Sequence, residues 1–89
     1  MKKDTMAQIT INKQLKLTEE FNVKKLSVNM GKVRDIDSQN LDIYYDGEAI
    51  GYGHLNNRTN MAHITLNDPN DELEDIIVNG IENRSININ

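Results

Sequence analysis

His54 and His63 are the only histidines in this 89-residue chain. They flank one polar loop, the arrangement from which a metal site or a proton-transfer pair could be built. Whether the rings meet depends on strand register. If Asn57-Arg58-Thr59 is a three-residue connection, Ile50 faces Leu66, Tyr52 faces Ile64 and His54 faces Ala62. His54 then points to the apolar face and His63 to the other, so the rings are not expected to converge. Moving the pairing by one residue would unite them but would turn Ala62, Ile64 and Leu66 away from the core.

The densest charge feature is the acidic run Asp68, Asp71, Glu72, Glu74 and Asp75. Asp68-x-Asn70-x-Glu72 offers oxygens at the first three odd positions of a calcium loop. Leu73 stands where that loop needs glycine, however, and Asn79 where it needs a bidentate glutamate. Asp35-x-Asp37 followed by Asp42 supplies only scattered loop oxygens. No metal or cofactor is expected, and a weak calcium-binding β-domain is the remotest alternative. Neither histidine adjoins a Ser or Thr in a turn that would expose a nucleophile. Gly51-Tyr52-Gly53 matches no phosphate loop. No catalytic residue is assigned, and enzymatic activity is not expected.

Charge is uneven along the chain. Residues 1–34 carry a net +5 and residues 35–89 a net −9, for a total of −4. Such asymmetry suits a charged partner or head-to-tail self-association. The basic third lacks interleaved aromatics, and in a strand Lys13 and Lys16 point to opposite faces. Direct nucleic-acid binding is therefore not expected. Cysteine is absent, which excludes disulfides and thiolate metal sites. No apolar run reaches the roughly 18 residues of a membrane span, and residues 1–7 lack the apolar stretch of a secretory signal. The expectation is a cytoplasmic protein of a bacterial or phage-infected cell; its abundant Asn and Ile fit AT-rich coding DNA.

The elements that position these residues centre on residues 41–52, two alternating runs joined at Asp46-Gly47. Asp-Gly supplies the two positive φ angles of a type I′ hairpin turn. That turn pairs Tyr45 with Glu48, Ile43 with Ile50 and Leu41 with Tyr52. It collects Leu41, Ile43, Tyr45, Ile50 and Tyr52 on one face and Asp42, Tyr44, Ala49, Gly51 and Gly53 on the other. With residues 61–66 the hairpin becomes a three-stranded meander over residues 40–66. Upstream, Ile9, Ile11, Leu15 and Leu17 alternate with polar residues as a strand over 7–17, whose inward Lys13 would guard an edge. Thr18-Glu19-Glu20 reads as a turn, and Phe21 and Val23 as seals on the core. Residues 24–33 form a second strand. Residues 1–6 read as a disordered extension to a single domain of residues 7–89.

Asp68-Pro69 and the acids after it read as a helix start, with Asp68 as N-cap. Leu73, Ile76 and Ile77 make its apolar stripe, and Asn79-Gly80 its C-terminal cap. The fold expected is α+β, mainly β: an antiparallel sheet of about five strands with one short acidic helix near 69–79 and a terminal strand over 84–89. The alternative is an all-β sandwich with a hairpin at Asn79-Gly80.

These readings point to a non-enzymatic protein-interaction module. Its sharper form is a phage or mobile-element accessory protein that inhibits a nucleic-acid-handling partner. The acidic surface of Asp68, Asp71, Glu72, Glu74 and Asp75 would take the place of phosphates on a basic partner. Tyr44, beside small residues, would be covered by the helix or belong to a contact surface. The alternative is a structural, self-assembling homo-oligomer joined through strand edges or opposite charges.

Overall fold

The computed structural model describes residues 7–12, 15, 17–34 and 37–89. The expected extension at residues 1–6, the basic Lys13 and Lys16, and Asp35 lie outside the described residues. Strands β1 (Gln8–Asn12) and β2 (Leu17–Glu20) pair antiparallel as a separate hairpin. A single 3₁₀ turn, Val23–Lys25, leads into β3 (Leu26–Arg34), β4 (Ser38–Tyr45), β5 (Glu48–Asn56) and β6 (Met61–Leu66). Helix α1 (Asp71–Glu82) follows, and then a two-residue strand, β7 (Asn87–Ile88). The main sheet has the order β6-β5-β4-β3-β7, antiparallel except that β7 runs parallel to β3. The fold is α+β and mainly β.

One face of the sheet is buried under the helix. Leu26, Val28, Leu41, Ile43, Tyr45, Leu55, Ala62, Ile64 and Leu66 form a single core with Leu73, Ile77 and Ile81 of α1 and Ile9 of β1. The β4–β5 turn is as expected: Asp46 and Gly47 both have positive φ, at 52° and 86°, and Tyr45 pairs with Glu48.

Beyond the turn the register departs from the expected one. An irregularity at Ile50 pairs Ile43 with Gly51, Asp42 with Tyr52 and Leu41 with Gly53. The inward face of β5 is therefore Gly51, Gly53 and Leu55, while Tyr52 lies 57% exposed on the outer face. The reason is the close approach of β6. A Cβ at Gly51 would stand 2.6 Å from Thr65 O, and one at Gly53 would meet His63 O and lie 2.7 Å from Ile64 Cα. Only glycine fits at both positions, so the extra residue at Ile50 brings them into phase.

The β5–β6 connection is four residues, 57–60, rather than three. Asn56 Oδ1 accepts from Arg58 N and Thr59 N at 2.9 and 3.2 Å, and Asn60 closes the loop at φ 61°. The longer loop pairs Gly51 with Leu66, Gly53 with Ile64, His54 with His63 and Leu55 with Ala62.

The first strand also differs from its expectation. The segment read as one strand over 7–17 contains β1 and the start of β2, and the expected turn at Thr18–Glu20 belongs to β2. Ala7 and Ile9 are buried, at 3% and 5% exposure, whereas Ile11, Leu15 and Leu17 are largely exposed. Phe21 packs on the core and stacks on Tyr45 with ring centroids 5.3 Å apart, whereas Val23 is exposed.

Helix α1 begins at Asp71, with Asn70 rather than Asp68 as its N-cap. Asn70 Oδ1 accepts from Leu73 N at 3.1 Å, and Asn70 Nδ2 donates to Gln8 O at 3.0 Å. One side chain thus caps the helix and ties it to β1. The inward stripe is Leu73, Ile77, Gly80 and Ile81, with Ile76 half-buried. Gly80 lies inside the helix, which removes both the Asn79-Gly80 cap and the rival hairpin. A Cβ at Gly80 would approach Ile86 Cγ2 to 2.5 Å, so glycine is kept for packing. The helix ends two residues later. Arg84, at φ 59°, occupies the left-handed position, and Ser85 N and Arg84 N donate to Gly80 O and Ile81 O at 3.0 and 3.3 Å. This is the double bond of a Schellman motif. The expected strand over 84–89 shortens to Asn87–Ile88.

Candidate functional site

The acidic run spans the approach to α1 and its first two turns. Asp68, Asp71, Glu72 and Asp75 are exposed and Glu74 is half-buried. The helical period places Asp71 and Asp75 on one outward line, opposite Leu73 and Ile77. Asp71, Glu72 and Glu74 occupy the first turn, where the partial positive charge of the helix end favours carboxylates. Among the described residues, none of the five is held in a salt bridge.

Beside this surface a cleft of about 370 Å³ opens between β1, the start of β5, the end of β6 and the approach to α1. Ile9, Ile50, Leu66 and Leu73 contribute apolar walls, and Glu48 and Asp68 line it as acids. A smaller recess of about 120 Å³ continues past Ile9 and Ile11 toward Glu19, Asp46 and Glu48. Ile50, left without a partner on β4 by the irregularity, packs against the edge of the core and stands on the cleft wall.

The backbone of β1 faces the same cleft. Alternate residues of an antiparallel pair turn their N–H and C=O groups away from the partner strand. The Asn70 bond to Gln8 O shows that Gln8 belongs to the outward set, and Thr10, two residues on, belongs to it as well.

Tyr45 lines the smaller recess. Its hydroxyl accepts from Asn22 N at 2.9 Å and donates to Glu19 Oε2 at 3.1 Å; Lys25 Nζ lies 3.2 Å from the same oxygen. Burial raises the Tyr45 pKa above its ordinary value; the Asn22 N–H acts against this, while Glu19 adds to it. The hydrogen bond and charge of Glu19 hold the Lys25 ammonium above its ordinary value.

Among the described residues, no helix lies on the outer face of the sheet. Tyr44 lies there half-buried, paired with Ser27 and Ala49, so α1 does not cover it. The next rows are Asn29–Asp42–Tyr52–Thr65 and Asn40–His54–His63. The two histidines thus stand directly opposite each other, with ring centroids 5.4 Å apart. This reverses the expectation that they diverge. The signal was present in the alternation of Gly51, Gly53 and Leu55, which match Leu66, Ile64 and Ala62 across β6 and leave both histidines outward.

Among the described residues there is no group of three or more His, Cys, Asp or Glu placed to hold a metal ion, and no helix is long and apolar enough to cross a membrane. Comparison with protein-family models, curated proteins and solved structures gives no match.

Proposed function

We propose that this chain is a non-enzymatic protein-interaction module whose cleft and acidic helix take a basic, extended segment of a protein partner. The observation that carries the reading is the coincidence of three features at one place. Apolar walls from Ile9, Ile50, Leu66 and Leu73 stand beside Glu48 and Asp68, exposed carboxylates continue along α1, and the outward-turned backbone of β1 at Thr10 offers strand pairing beyond the Gln8 carbonyl that Asn70 occupies. An extended segment gains main-chain hydrogen bonds from such an edge and specificity from alternate side chains. Lys or Arg residues would lay their stems on the apolar walls and their charges on the rim.

In its finer form the partner is a nucleic-acid-handling protein whose phosphate-binding surface is occupied by Asp68, Asp71, Glu72, Glu74 and Asp75. The chain would then act as a phage or mobile-element inhibitor in the cytoplasm of the infected cell. Small size and concentrated acidity support this form by analogy of physical properties. Titration of a fluorescent peptide of alternating Lys and Leu tests the binding mode. Affinity should fall steeply between low and physiological salt, and the double reversal Glu72→Lys/Asp75→Lys should weaken it at least about tenfold at low salt. Equal affinity for the reversed protein would reject the acidic surface.

A further inference from the structure

We propose that His54 and His63 form a two-imidazole site for a divalent transition-metal cation of the zinc type, with water in its remaining positions. The site is independent of the cleft and lies on the opposite face of the sheet. Zinc binds imidazole nitrogen at about 2.0–2.1 Å, which places the ion about 3.2 Å from each ring centre; two such rings at a tetrahedral angle stand about 5.2 Å apart. The observed separation is 5.4 Å. The ring planes are tilted by 34°, and the spacing is within reach of one shared ion.

The backbone holds this spacing firmly. His54 and His63 are direct cross-strand partners inside the ladder that pairs residues 51–56 of β5 with residues 61–66 of β6. Each is flanked by inward residues: Gly53 and Leu55 on one strand, Ala62 and Ile64 on the other. Both imidazoles are exposed, which leaves room for water ligands. Neutral imidazole suits zinc, nickel and copper better than calcium or magnesium. A cation here would clip β5 to β6 and, by binding only the folded chain, would stabilise it.

The test is calorimetric titration of the full chain with zinc chloride in a non-chelating buffer, repeated on His54→Gln and His63→Gln. The site predicts one zinc per chain. Either substitution should weaken binding by at least about tenfold, the scale on which even outer-shell partners of a metal act. Zinc should raise the thermal midpoint of the original chain by a few degrees and leave both variants unmoved. Without zinc, all three proteins should unfold alike, because both side chains are exposed. Absence of binding up to millimolar zinc would overturn the proposal. So would undiminished binding in both variants, which would put the ion on the carboxylates, or a ratio of one zinc per two chains.

Discussion

Gly53 and Tyr45 show how single residues set the geometry around the cleft and the sheet. A methyl group at Gly53 would run into the β6 backbone at His63 and Ile64, and neither strand can withdraw without breaking the ladder. Gly53→Ala is expected to cost about 3 kcal/mol. At Gly80 the obstruction is a side-chain methyl of Ile86, and alanine recovers about 1 kcal/mol of helix propensity. Gly80→Ala should therefore cost less, about 1 kcal/mol; urea unfolding of the two variants checks the order. Tyr45→Phe removes an acceptor for Asn22 N and a donor to Glu19, a loss of about 1–2 kcal/mol. The raised Tyr45 pKa also gives a pH signature. Because the folded value exceeds the unfolded one, the contribution is complete below about pH 10 and is lost as pH climbs through the folded value. Lys25, also raised, acts with the same sign. Stability should thus fall at alkaline pH, and Tyr45→Phe should flatten part of that fall in unfolding curves measured across this window.

At the scale of elements, the junction between α1 and β1 closes one side of the cleft, and Asn70 makes it through two different atoms. Asn70→Asp keeps the oxygen that caps Leu73 N but loses the amide that reaches Gln8 O. Asn70→Ala loses both, at a cost of about 1–2 kcal/mol. Aspartate should thus restore thermal stability relative to alanine while leaving the β1 amides faster in hydrogen exchange than in the original chain. The edge of the main sheet is tied in a similar way. Glu82 Oε2 accepts from Ala62 N at 2.9 Å, and Asn60 Nδ2 donates to Glu82 O at 2.8 Å. The end of the helix therefore covers part of the outer edge of β6, which tells against strand-edge assembly there.

At the scale of the whole molecule, the shape is flat, 40 × 34 × 19 Å. The short dimension suits one sheet and one helical layer, and no described element covers the outer face. The type I′ turn was legible because Asp46-Gly47 admits few other conformations. The acidic helix was legible because its apolar spacing and first-turn acids agree. The register of β5 was not, because Ile50/Tyr52 and Gly51/Gly53/Leu55 are two in-phase faces of the same strand. Simple alternation favours the larger side chains, while the close approach of β6, a tertiary contact, selects the glycines. The fate of the histidines and the place of Ile50 on the cleft wall both followed from that choice. The hairpin of β1 and β2 was hidden for a similar reason: Ile11, Leu15 and Leu17 carry a strand pattern, yet they lie exposed while Ile9 meets the core. The open outer face gives a test at this scale. If Tyr44 and Tyr52 mediate self-association, light scattering will show a mass that rises with concentration and falls back in Tyr44→Ala or Tyr52→Ser. The interaction-module reading predicts a constant mass.

The most direct test of that reading is an amide chemical-shift map of the isotope-labelled chain titrated with the alternating Lys-Leu peptide. Shifts are expected to concentrate at residues 8–11, 48–50 and 66–75, with the Thr10 amide among the largest and gaining protection from exchange. Shifts confined to the outer sheet face around Tyr52, His54 and His63, with residues 8–11 and 66–75 unmoved, would contradict it.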